Sequence, residues 1–291
     1  MFEGVIPALV TPFKEDFSVD FEGIAKNLDF LERFVDAVVP AGTTGEAATL
    51  SYEEHVEVVR YVVETSKLPV IGGSGSNSTR EAVWLTKEVE KAGADAAMLI
   101  TPYYNKPNQQ GLYEHYKTVA SEVSIPIILY NVPSRTAVNI NPETVAKLAE
   151  IDNVVGIKEA SGDLKQVLKI VQLTKDRDFV VLSGDDFLTL PILSVGGKGV
   201  ISVTANVAPH LMKEMVKAFR DGDLRKAIDL NVKLLPLFEV LFIETNPIPV
   251  KKAMELMGLA AGKPRLPLVE LSQEKTWKVK TILKELGLLE S

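Results

Sequence analysis

Apolar residues along this chain gather in short runs. The runs are Val5–Val10, Ala37–Ala41, Pro69–Gly73, Ala96–Thr101, Ile125–Asn131, Val154–Lys158, Phe179–Ser183 and Gly199–Val203. Each gives way to a polar or glycine-containing turn and then to a helical pattern. They begin at residues 5, 37, 69, 96, 125, 154, 179 and 199, a recurrence that suits strand, turn, helix and turn. Most runs are continuously apolar rather than alternating, which signals strands covered on both faces, as in a parallel sheet. The helical stretches between them carry start signals. Asp20 precedes Phe21–Phe34, Ser51 precedes Tyr52–Ser66 and Ser78 precedes Thr79–Ala92. Glu54 and Glu81 stand at capping-box spacing from their serines. Gly93 then reads as a helix stop, and Pro142 after Asn141 as a first helical residue.

Eight such units predict an α/β protein, a (β/α)8 TIM barrel whose crossovers are right-handed. Periodicity alone leaves an open doubly wound sheet as the alternative. After Val207 only helical patterns follow, over roughly 209–221, 223–242, 247–258 and 272–287. A barrel needs one helix after its last strand. The expected division is therefore a barrel over 1–224 and a C-terminal helical extension over 225–291, with Pro264 and Pro267 in a loop inside it.

Composition narrows the function. In 291 residues there are 32 Lys and Arg against 39 Asp and Glu, a net charge of −7. No basic cluster stands out, which speaks against a nucleic-acid partner. The chain has no cysteine, so thiol nucleophiles, disulfides and thiolate-bound zinc are excluded. His55, His115 and His210 form no metal-spaced pair, and no metal or other cofactor is expected. No apolar stretch is long enough to span a membrane, and the short run near the N-terminus lacks the basic flank of a signal peptide. A cytoplasmic location is the expectation.

In a barrel of this type, reactive groups lie at the C-terminal ends of the strands. Lys158 closes the run Val154-Val155-Gly156-Ile157. A lysine there can act as a Schiff-base nucleophile, a role that needs a free amine and that apolar surroundings favour. It can equally snorkel to water or pair with Glu159. Tyr130 ends another run, as a proton carrier or as a core aromatic. Thr43 and Thr44 lie between Gly42 and Gly45, where amides and hydroxyls suit a carboxylate, or simply a βα turn. Arg135 could fork onto a carboxylate or form a surface ion pair. The competing motifs are weak. Gly72 to Asn77 lacks nucleotide-loop spacing, Gly196 to Gly199 precedes its strand, and Asp185-Asp186 falls short of a cation site.

Several segments in order carry a resemblance over the whole chain: Gly42-Thr43-Thr44-Gly45-Glu46, Thr101-Pro102-Tyr103-Tyr104, Tyr130 through Thr136, Gly156 through Ala160, Leu182 through Asp186, Gly199 through Val203 and Asn246 through Lys251. The chain resembles the dihydrodipicolinate synthase / N-acetylneuraminate lyase family of pyruvate-dependent class I aldolases. The resemblance implies that Lys158 forms an imine with pyruvate and that the derived enamine attacks aspartate semialdehyde. It implies Tyr130 as a proton relay, hydrogen-bonded to Thr43 and to Tyr104 from a neighbouring subunit. Thr44 and the backbone of Ile201 would hold the pyruvate carboxylate. Arg135 would grip the semialdehyde carboxylate; the sialic-acid lyases usually lack it and have Ser-Thr where Thr43-Thr44 stand. The alternatives are a pyruvate-dependent lyase or aldolase acting on another aldehyde, such as N-acetylneuraminate lyase or 2-keto-3-deoxygluconate aldolase, or a pyruvate-binding protein without turnover. The family further implies a homotetramer, a dimer of dimers. It also implies a lysine effector site at a subunit interface, matched by His55, Asn77, Glu81 and Tyr103, with Ala47 and Tyr52 departing from the serine and histidine of some lysine-sensitive members.

Overall fold

A computed structural model of the chain describes residues 2–289; Met1 and the last two residues of the expected extension lie outside the described residues. Seven parallel strands form one sheet: β1 (Gly4–Pro7), β2 (Ile71–Gly73), β3 (Ala96–Ile100), β4 (Ile127–Asn131), β5 (Val154–Glu159), β6 (Val180–Ser183) and β7 (Gly199–Ser202). Their order is β1-β7-β6-β5-β4-β3-β2. Each matches a predicted run to within three residues at either end.

The eighth run does not form a strand. The Ala37–Ala41 segment meets its neighbours only through single parallel bridges, Ala8 with Val39 and Val38 with Val70. On one side Leu9 N donates to Val39 O and Val39 N to Pro7 O, each at 2.9 Å. On the other, Val38 N donates to Pro69 O at 3.0 Å and Ile71 N to Val38 O at 2.9 Å. Pro7, Pro40 and Pro69 have no N–H to offer, so each ladder is broken, although Gly73 N still donates to Pro40 O at 3.1 Å. The segment nonetheless bonds both edge strands of the sheet.

Alternation along the strands sorts side chains into two cores. Ile6, Ala8, Val39, Ile71, Met98, Ile128, Tyr130, Leu182 and Ile201 cluster on the inner face. Val5, Val38, Leu99, Ile127, Leu129, Ile157, Val181 and Val200 face outward into a larger core beneath the helices. Burial on both faces explains why the runs read as continuously apolar. The same alternation turns Lys158 inward beside Tyr130, its register partner, and Glu159 outward beside Asn131.

Helices occur where the start signals stand. Ser51 caps Tyr52–Thr65 with a complete capping box, its hydroxyl accepting from Glu54 N while Ser51 N donates to the Glu54 carboxylate. The second predicted box is only half formed. Ser78 accepts from Glu81 N, but the Glu81 carboxylate turns to Ser76 Oγ at 2.9 Å, and Ser78 N donates to Ser76 Oγ instead. A nearer hydroxyl has outcompeted the cap. Helices Pro209–Arg220, Leu224–Leu241, Ile248–Leu256 and Gln273–Glu285 follow the last strand. Leu234, Phe238, Val250, Met254, Val279 and Leu283 join the outer core rather than building one of their own. Among the described residues no helix is long and apolar enough to cross a membrane.

Candidate active site

Lys158 is buried, at 5% exposure, one residue before the end of β5. Its Nζ lies 4.1 Å from the centroid of the Tyr130 ring. The alternative pairing with Glu159 does not occur. That carboxylate faces the other side of the strand, accepting from Asn131 Nδ2 at 3.0 Å, Ser161 N at 2.8 Å and Gln166 Nε2 at 3.3 Å. Burial holds Glu159 above the ordinary carboxylate value against the pull of these bonds. Lys158 is thus a buried amine facing an aromatic wall without a carboxylate partner on its own strand. Gly184, after β6, makes room for it: a Cβ there would stand 3.0 Å from Lys158 Cγ.

The loop after the Ala37–Ala41 segment carries the two threonines. Ala41 and Glu46, which bracket it, both adopt left-handed backbone, with φ of 53° and 55°. Neither is glycine, and such conformations persist only where surrounding contacts impose them. Thr44 is buried, its Oγ1 accepting from Asn246 Nδ2 at 3.0 Å. Thr43 and Tyr130 line one cavity of about 660 Å³, which also meets Arg135 and Asn246. Arg135 stands exposed at its rim, donating to the Asn246 carbonyl at 3.1 Å. Ile201 is buried on β7 in the inner cluster with Tyr130. Lys158, Tyr130, Thr43, Thr44, Arg135 and Ile201 therefore gather around one end of the sheet.

Tyr104 does not join them within this chain. Its side chain is 88% exposed, on left-handed backbone with φ of 74°. His55, Glu81 and Tyr103 line the same cavity as Thr43 and Tyr130. His55 Nε2 meets the Gly73 carbonyl at 2.6 Å, and Asn77 Nδ2 donates to the Tyr103 carbonyl at 3.1 Å. Burial lowers the His55 imidazole, opposed by that carbonyl. Tyr52 also faces Glu81; burial first, and that carboxylate second, push its phenol above the ordinary value. Among the described residues no cluster of three or more acidic or histidine side chains could hold a metal ion.

Two further contacts involve residues with no role legible in the sequence. Asn246 ties Thr44 and Arg135 together, and Glu46 forms a buried ion pair with Lys251 at 2.6 Å. Both partners of that pair are 2% exposed. Surface ion pairs are worth about 0–1 kcal/mol, whereas removing one partner of a buried pair costs about 3–5 kcal/mol. Burial pulls the Lys251 ammonium below its ordinary value, with Glu46 opposing. The only signal in the sequence is the presence of both residues inside the quoted segments.

The model of the dihydrodipicolinate synthetase family matches residues 1–286. The chain is 76% identical over 289 residues to a 4-hydroxy-tetrahydrodipicolinate synthase of Archaeoglobus fulgidus, covering 99% of this chain and 100% of that protein. It resembles the chloride-inhibited dihydrodipicolinate synthase of Acinetobacter baumannii complexed with pyruvate, at 43% identity and a TM-score of 0.96 over 99% of this chain and 100% of the other. It also resembles the lysine-bound enzyme of Cyanidioschyzon merolae, at 42% identity and a TM-score of 0.96 over 99% of each chain.

Proposed function

Because the chain belongs to the dihydrodipicolinate synthetase family, we propose that it condenses pyruvate with aspartate 4-semialdehyde to 4-hydroxy-tetrahydrodipicolinate, using Lys158 as a Schiff-base nucleophile. The Lys158 amine adds to the pyruvate ketone and water leaves, giving an imine. Loss of a methyl proton turns the imine into an enamine. Its carbon attacks the semialdehyde carbonyl, whose oxygen takes up a proton. The amino group of the adduct then attacks the imine carbon, closing the ring and releasing Lys158.

The observation that carries this reading is the buried Lys158 amine over the Tyr130 ring, its neighbouring carboxylate engaged elsewhere. Tyr130 relays protons with Thr43 and with Tyr104 of a second copy. Thr44 and the Ile201 backbone hold the pyruvate carboxylate, and Arg135 the semialdehyde carboxylate. The exposure of Tyr104 supports its serving a partner subunit, in a homotetramer built as a dimer of dimers. The bonds of the Ala37–Ala41 segment to β1 and β2 support a closed eight-stranded barrel over 1–224 carrying the extension 225–291. We place the protein in the cytoplasm, where both substrates are small soluble anions. We assign His55, Asn77, Glu81 and Tyr103 to a lysine effector site.

Borohydride reduction in the presence of pyruvate, followed by mass mapping, tests the mechanism. A pyruvate-derived adduct on Lys158 is expected, and none on a Lys158→Ala variant. An unmodified Lys158 under conditions where pyruvate binds would overturn the reading. Turnover of aspartate semialdehyde, but not of N-acetylneuraminate or 2-keto-3-deoxygluconate, separates this activity from its sister lyases and aldolases.

A further inference from the structure

The helix Ile248–Leu256 and the residue pair before it grip the threonine loop twice. Asn246 donates to Thr44 Oγ1, and Lys251 pairs with Glu46, two residues further along the same loop. Glu46 has no freedom left. Oε1 accepts from Lys251 Nζ at 2.6 Å and Oε2 from Arg265 N at 2.9 Å. Lys251 is equally spent: besides Glu46 it donates to Thr11 O at 3.2 Å and Lys263 O at 3.3 Å, with its Nζ 4.3 Å from the Phe13 ring centroid. Thr11 closes the circle, its hydroxyl donating to Gly45 O at 2.7 Å. One buried ammonium therefore joins the segment after β1, the threonine loop and the loop before the last helix. It does so at a residue whose left-handed backbone needs holding.

A buried ion pair is a poor source of net stability, because desolvating both charges offsets their attraction; an apolar pair of similar volume does as well or better. Its directed hydrogen bonds do set geometry, which apolar contacts do not. We propose that Lys251 and Glu46 are positioning residues for the condensation: their pair fixes the Gly42–Glu46 loop so that Thr44 and Thr43 meet pyruvate. The C-terminal helices thereby take part in pyruvate recognition while touching no substrate. The proposal rests on the pyruvate-binding reading above. It also predicts an asymmetry. Arg135 is held by the Asn246 carbonyl, outside the pair, so semialdehyde binding is spared.

Steady-state kinetics on Glu46→Gln and on the double variant Glu46→Gln/Lys251→Met tests this. The double variant removes both charges together and leaves no unpaired ion in the interior. The pyruvate KM is expected to rise about tenfold in both, the order of loss that follows a misplacement well under 1 Å. The semialdehyde KM and the circular dichroism spectrum stay as in the wild type. An unchanged pyruvate KM in a folded variant overturns the proposal, and so does an equal rise in both KM values. If the double variant does not fold, Glu46→Gln decides by the same criteria. Failure of both to fold also overturns it, by making the pair a requirement of folding. The wild-type protein tests the underlying reading separately: without a borohydride-trapped pyruvate adduct on its Lys158, that reading fails whatever the variants do.

Discussion

Among the described residues the Arg135 side chain makes one hydrogen bond, to the Asn246 carbonyl, and it lines the cavity rim. A guanidinium with free donors suits a carboxylate that arrives with the second substrate. Losing a charge-assisted hydrogen bond costs about 1.5–3 kcal/mol, or roughly 10- to 100-fold in affinity. Arg135→Met is therefore expected to raise the semialdehyde KM by about that factor and to leave pyruvate trapping on Lys158 intact. A matching loss of trapping would move Arg135 into the pyruvate site. Lys158 itself was legible from its place at the end of an apolar run. Its freedom from Glu159 was not, because strand alternation sends adjacent side chains to opposite faces and only the register says which face is inside.

The strands and helices were legible nearly to their ends, since burial on one or two faces writes a period into the sequence. Two features departed from expectation, and both have local causes. Prolines interrupt the ladders around Val38 and Val39, and Ser76 diverts Glu81 from its cap. The helix Gln109–Ser121 carries a consequence for pH. His115 on it is buried, with Nδ1 on Thr79 Oγ1 at 2.9 Å and Nε2 without a partner among the described residues. Burial lowers its imidazole from 6.5 to about 4. The folded protein thus refuses a proton that the unfolded chain accepts below pH 6.5. Stability is complete above that value and declines as pH falls from 6.5 to about 4, by at most about 3 kcal/mol. His55, lowered for the same reason, adds to the decline. Thermal melts between pH 7 and pH 4 should show a shallower loss in His115→Gln than in the wild type; parallel curves would refute the assignment.

At the level of the molecule, one cavity joins the residues around Tyr130 to those around Glu81. A ligand at the far end can bias the catalytic end only through differential contacts. Glu81 suits an ammonium, but Ser76 and Tyr52 already attend its carboxylate. Inhibition by lysine is therefore expected only in the millimolar range, and Tyr52→Phe should lower the concentration needed. An activity titration with no response at millimolar lysine would remove the effector assignment.

Local order is what the amino-acid pattern dictates here: where strands and helices start, which runs are covered on both faces, that a lysine and a tyrosine fall at strand ends, and that two threonines follow an apolar run. Such features arise from contacts within a few residues, and their period survives in the order of the side chains. The assembly of the site does not. Thr44 is held by Asn246 and Glu46 by Lys251 from about two hundred positions away, and Tyr104 is turned outward from its own site. Contacts at that separation leave no period in the chain, because nothing in the intervening residues must repeat for two distant side chains to meet. Only the curling of the sheet and the return of the C-terminal helices over the outer core bring them together.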